Sequence, residues 1–187
     1  MKGSILIGLA LLGATACNNA DVKVTVGKEA LPAKPADIAS VKGILGGHTY
    51  AMAKTGALSP FDLDKEKEVE WFDDQKDTTR FFREFQAGLM KTAFRFEKDS
   101  LVGYNNEGKM VNGKWSLDTL FEEGEDPGIR LRVHFLDSSG SFGFPGATGP
   151  IEMTYSFRVL GCDEKGLLLE LPREFNRRKV VGLLNKS

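Results

Sequence analysis

Carboxylates are plentiful, 26 in all, so some close pairs arise by chance, and a pair becomes a catalytic hypothesis only with supporting geometry. There are two histidines, His48 and His134, and no pair of His, Cys or carboxylate residues stands at the spacing of a zinc site. His134 alternates with Arg130 and Arg132, which places it on the polar face of a strand rather than in a ligand set. Ser141 lies in Ser139-Gly140-Ser141-Phe142-Gly143. A nucleophile elbow needs Gly-x-Ser-x-Gly, and position 139 breaks that pattern. Acidic residues crowd into DLDKEKEVEWFDD, residues 62–74, without the D-x-D-x-D-G spacing of a calcium loop. This reads as a solvated loop or strand edge. The expectation is a non-catalytic protein with no metal and no cofactor.

The other unusual stretch is DSSGSFGFPGATGP, residues 137–150, with Gly140, Gly143, Gly146 and Gly149 at every third position. It lacks the Gly-Lys-Ser/Thr ending of a phosphate loop. Its length suits a connection between two strands, and such loops are often functional. Phe142 and Phe144 have two readings: they cover an open end of the sheet, or they contact a ligand or partner. The formal net charge is −1, which argues against a grip on polyanions, so nucleic acid is excluded as a partner.

The chain opens with Lys2, an apolar run from Ile5 to Leu12, and small residues up to Cys17. That order is the order of an export signal, and the run is shorter than the ~20 apolar residues a membrane span needs. Ala14-Thr15-Ala16 fits ordinary signal removal. Small residues with a cysteine directly after them also resemble the bacterial lipobox. The lipobox resemblance implies cleavage before Cys17 and a diacylglyceryl thioether on its sulfur, an anchor made stable by two or three acyl chains. Asn18, where an aspartate would resemble an inner-membrane retention mark, points to an outer-membrane lipoprotein facing the periplasm or the cell surface. With Cys17 lipidated, Cys162 has no partner for a disulfide. The division expected is a signal peptide over 1–16, a lipid-anchored tether over 17–40 and one β domain over 41–187.

Several elements in that domain show the two-residue period of strands. In RLRVHF, Leu131, Val133 and Phe135 share one face. In MTYSFRVL, Met153, Tyr155, Phe157 and Val159 oppose Thr154, Ser156 and Arg158. TAFRFEKD sets Phe94 and Phe96 against Arg95 and Glu97. Asn112-Gly113 predicts a two-residue type I′ hairpin turn, with Met110 opposite Trp115. GLLLELP and KVVGLLN close the sheet, joined by REFNRR. One segment has a helical stripe, Phe81, Phe85 and Leu89 with Phe82 beside them, capped by Asp74 or Asp77.

The run FRFEKDSLVGYNNEGKMVNGKWSLD, then an alternating strand, then YSFRVLGCDEKGLLLELP resembles the small lipocalin-like lipoproteins of Bacteroidetes. The matching parts are Phe94 to Asp99, Gly113-Lys114-Trp115, and Leu160 to Leu171 with the turn Asp163-Glu164-Lys165-Gly166. The fold expected is all-β with one helix, a lipocalin-like antiparallel barrel or strongly curved meander. The function expected is an envelope lipoprotein that binds a small apolar or amphipathic ligand between helix and sheet. The alternative is a protein-interaction module, an envelope assembly factor or inhibitor, using residues 137–150. Phe142, Phe144, Trp115 and Tyr155 are the expected ligand or partner contacts, and the lipid anchor makes the membrane a further partner.

Overall fold

The computed structural model describes residues 31–58, 69–72, 79–106, 108–120, 126–137 and 150–187. The proposed signal, the anchor residue Cys17, most of the tether, and Phe142 and Phe144 lie outside them, as do Asp74 and Asp77. The architecture is a closed antiparallel barrel of eight strands, lipocalin-like, as the alternating segments predict. The elements in chain order are α1 (Ile38–Leu45), β1 (Thr49–Leu58), β2 (Val69–Trp71), α2 (Arg80–Leu89), β3 (Ala93–Phe96), β4 (Leu101–Asn106), β5 (Lys109–Asp118), β6 (Arg130–Asp137), β7 (Ile151–Asp163), β8 (Gly166–Phe175) and β9 (Arg178–Lys186). Each strand from β3 onward pairs with the next, and β9 returns to β1 to close the barrel. The short β2 is an addition to β1 beyond the stretch that β3 covers.

Period-two patterning fills the interior. Leu131, Val133, Phe135, Phe157 and Val159 face inward with Tyr50, Phe94, Phe96, Tyr104, Leu167, Leu169, Val180 and Leu184. An extra residue in β1 between Met52 and Lys54 shifts its phase against β9, so Tyr50 and Met52 before it and Ala57 after it are all buried.

Among the described residues there are two helices where one is expected. Asp37 and Ser40 form a reciprocal capping box at the start of α1, and Val41 and Leu45 bury its short apolar face. The Ser40 amide bonded to Asp37 holds that carboxyl below its ordinary range. The helix is fixed at one end of the barrel, where the Tyr50 hydroxyl donates to the carbonyl of Ile44 at 3.1 Å. Residues ahead of 41 also pack on the barrel. The Cys162 amide donates to the Ala33 carbonyl at 2.8 Å, and Gly161 lies so close under Pro32 that a side chain there would strike its carbonyl.

At the other end α2 begins at Thr79, whose hydroxyl accepts from the Phe82 amide at 3.3 Å. The expected cap at Asp74 or Asp77 is thus replaced by Thr79. Its inward stripe is Phe82 and Leu89, both buried, with Phe85 half-buried beside them. Phe81, expected in that stripe, is 72% exposed and stacks on Phe85. Phe82 and Phe85 pack with Phe72 and Phe175 in an aromatic cluster.

The Asn112-Gly113 turn is not formed. Both residues lie inside β5, opposite Gly103 and Val102. The chain instead reverses between Asn106 and Lys109, with Gly108 at φ +100° and its amide bound to the Asn105 side chain at 2.7 Å. Gly113 serves a close approach: a Cβ there would collide with the His134 carbonyl. Met110 therefore opposes Asn105, and Trp115 opposes Val133. The closing hairpin is tighter than REFNRR suggests. Phe175 pairs with Arg178, and Asn176 and Arg177 both take positive φ, 51° and 60°, the requirement of a type I′ turn met without glycine. The Asp163–Gly166 turn forms where expected.

Candidate functional site

The barrel wall is incomplete along one seam. β7 and β8 pair from Asp163 and Gly166 as far as Arg158 and Glu170, and the ladder then stops. β7 continues against β6 to Ile151, while β8 regains a partner only in β9, at Glu174 and Phe175. The cause is in the sequence. Continuing the register would set Ser156 opposite Pro172, and proline has no N–H to give the ladder.

On the outer side the open seam is a cleft of about 360 Å³ lined by Thr154, Tyr155, Ser156, Leu171, Pro172 and Arg173, with Arg130, Glu170, Glu174 and Lys179. On the inner side, Tyr155, Leu171, Pro172 and Arg173 also border a slot of about 10 Å³ together with Leu89, Thr92, Tyr104, Asn106 and Phe157. That slot has room for about one water-sized sphere. The barrel interior here is a packed core, and the volume at this seam lies on its outer side. A polar relay frames the slot: Tyr104 donates to the Asn106 side-chain oxygen at 3.2 Å, and the Asn106 amide donates to the Tyr155 hydroxyl at 3.0 Å.

Charged groups are buried on the outer side of this seam. Arg130 and Arg158 are direct neighbours across β6 and β7, and Arg158 opposes Glu170 on β8. Alternation puts all three outside the barrel, yet they are only 4%, 5% and 9% exposed. The segment at Asp126–Gly128 accounts for this. Asp126 forms an ion pair with Arg158 at 3.0 Å, its carbonyl accepts from Arg130 at 2.9 Å, and Gly128 packs on the Arg158 stem. Glu170 accepts a further charge-assisted bond from Arg158. Ser156 Oγ and Arg158 Nε are buried at the seam without a hydrogen-bond partner. Such groups cost about 1–3 kcal/mol each.

Of the expected contact residues, Tyr155 lines both cleft and slot. Trp115 is a core residue, 4% exposed, edge-on to Phe96 at 5.2 Å and bonded to the Glu97 carbonyl at 3.4 Å. Val133 lies between the two in the sheet, so the structure does not bring them together. Phe142 and Phe144 fall outside the described residues. Alternation assigns Arg130, Ser156 and Arg158 to the polar face without distinguishing them from other surface residues. Pro172 is the one sequence signal for the break.

His134 stands on the outer face between two hydroxyls, Ser116 Oγ at 3.2 Å from Nε2 and Thr154 Oγ1 at 2.9 Å from Nδ1. The row ties three strands together. A threonine occupies the place where a triad would use a carboxylate to orient the ring. Cys162 is a free, buried thiol among the described residues, and burial, followed by nearby Asp163 and Glu164, pushes its pKa up to about 12. No cluster of three or more His, Cys, Asp or Glu suited to a metal ion occurs among the described residues.

The class defined by this geometry is a small closed β-barrel of lipocalin-like architecture with a filled interior and a polar cleft in its wall. Comparison with protein families, curated proteins and solved structures yields no match for the chain.

Proposed function

We propose that the protein is a non-catalytic lipoprotein of the cell envelope, anchored in the outer membrane through Cys17, that binds a small amphipathic molecule at the open seam. The observation that carries the reading is the cleft itself. Its volume of about 360 Å³ falls within the range of small-molecule sites. Tyr155, Leu171 and Pro172 supply apolar surface, and the charged residues around them supply a polar rim. The ligand thus sits on the wall beneath α2, with its apolar part toward the slot that Leu89 of α2 borders.

Native mass spectrometry of the gently purified, delipidated protein tests the binding. A co-purifying small molecule is expected, reduced in a Tyr155→Ala variant of unchanged fold. Absence of any adduct, together with no binding from a panel of single-chain amphiphiles, overturns the reading. The anchor is tested separately: Cys17→Ser should move the protein from the detergent phase to the aqueous phase, and equal partitioning of variant and parent refutes it.

A second reading, docking of an envelope protein, is supported by Phe81, a large aromatic 72% exposed on α2. Loss of a protein partner from Phe81→Ser, with no effect on small-molecule adducts, would favour it.

A further inference from the structure

We infer that the amphiphile held at the seam is an acylated peptide, its amino-acid part lying along the free edge of β7 as an added strand; this rests on the proposed binding of an amphipathic molecule there. The backbone directions of β7 carry the argument. The Val159 amide bonds to the Ile129 carbonyl, on the β6 side, at 2.8 Å. In an antiparallel strand the N–H and C=O of one residue point to the same side, and those of the next residue point to the other. Phe157, Tyr155 and Met153 therefore give their backbone groups to β6, whose register with β7 runs unbroken from Arg158 to Ile151. Arg158, Ser156 and Thr154 direct theirs toward β8.

Arg158 finds Glu170 there, and the ladder ends. Ser156 comes next, and the residue that would oppose it, Pro172, has no N–H to give. Thr154, two residues further on, also lies beyond the end of the ladder. Each presents an N–H and a C=O to the seam, and both residues line the cleft. The complement of such an edge is an amino-acid unit, whose own N–H donates to the Ser156 carbonyl while its C=O accepts from the Ser156 amide. A lone secondary amide cannot do both, because its N–H and C=O point in opposite directions across the trans bond. Ser156 Oγ, buried there without a partner, is a further donor for the polar part. Leu171 and Pro172 are left as apolar surface for the acyl chain.

Isothermal titration of the folded chain with four probes, each below its micelle concentration, tests the inference: decanoyl-glycine methylamide, its analogue with an ester oxygen in place of the glycine N–H, its N-methylglycine analogue, and decanol. The glycine compound is expected to bind about tenfold more tightly than either analogue. Ser156→Pro deletes the seam-facing N–H and spares the bonds to β6. It should weaken the glycine compound by a similar factor and leave decanol unaffected, with its urea midpoint as the check on folding. Ser156→Ala keeps the backbone and should keep the ranking of the probes. Equal affinity of the parent chain for the glycine compound and its ester analogue, or a folded Ser156→Pro variant that binds the glycine compound as tightly as the parent, overturns the inference and leaves the cleft reading intact. The ranking on the parent chain decides alone should Ser156→Pro not fold. Binding of none of the four overturns both readings.

Discussion

Replacing Glu170 by Gln removes one charge from a pair whose side chains are 10% and 6% exposed for Glu170 and Arg158. Truncating one partner of a buried pair typically costs about 3–5 kcal/mol, because the other charge is left without compensation. Here Arg158 keeps Asp126 at 3.0 Å, and that carboxylate is 30% exposed. Partial compensation from a half-solvated acid places the cost near the lower end, about 3 kcal/mol. For a domain of this size, with a urea m-value of about 2 kcal/mol/M, the midpoint should fall by about 1.5 M. The double variant Arg158→Met, Glu170→Met tells the pair's net contribution apart from the penalty of breaking it. It should come within about 1 kcal/mol of the parent, because an apolar pair of similar volume avoids the desolvation cost of both charges. Equilibrium urea unfolding followed by tryptophan fluorescence measures all the variants. A Glu170→Gln loss below about 1 kcal/mol, or a double variant as unstable as the sum of its singles, refutes the assignment of this pair as a buried, mutually dependent unit.

Trp115→Ala should cost about 3–5 kcal/mol, the range for deleting a large aromatic from a packed core, whereas Trp71, half-buried at the edge of the small outer cluster around Val181, should cost less; equal urea shifts would contradict this layout. The pKa of Cys162, pushed to about 12 from an ordinary value of 9.0, means the unfolded chain releases its thiol proton first as pH rises. Stability should therefore be whole below pH 9 and decline between 9 and 12, and Cys162→Ala should flatten that decline; identical pH profiles would count against it. In native protein at neutral pH the same thiol should resist iodoacetamide until urea unfolds the chain.

Segments whose role is local patterning are legible in the amino-acid sequence. The alternation of Leu131, Val133 and Phe135, and of Tyr155, Phe157 and Val159, survives into the barrel because a half-buried strand leaves side chains only two directions. Asn112-Gly113 misleads because a glycine serves two unlike purposes, positive φ in a turn and close approach in a sheet. Only the neighbouring strand, through the His134 carbonyl, decides which applies. Conversely Asn176-Arg177 makes the tight turn with no glycine to announce it. Phe81 and Phe82 cannot be ranked from spacing, since both continue through Phe85 and Leu89; the packing of Phe72 and Phe175 chooses Phe82. The cleft is hidden from the sequence for a different reason. It is a missing stretch of pairing between β7 and β8, and register between strands is a property of the whole sheet. The burial of Arg130 and Arg158 likewise depends on Asp126 folding over them.

The pairing of β1 with β9 has a consequence for how the barrel is made. Tyr50 meets Lys186 and Ala57 meets Val180, and the Ser187 amide bonds to the Thr49 carbonyl at 3.0 Å. Contacts between the first strand and the last are the slowest kind to form, because the length-dependent part of closing a loop of well over a hundred residues costs about 4 kcal/mol before any contact repays it. Until β9 is synthesised, β1 lacks one of its neighbours and β8 lacks the other. A ribosome-bound chain, or one clipped before β9, therefore presents two open β-edges at once, each a template for pairing with another chain. Completion of β9 is the event that turns an adhesive sheet into a closed wall, so loss of this one strand should affect solubility out of proportion to its length.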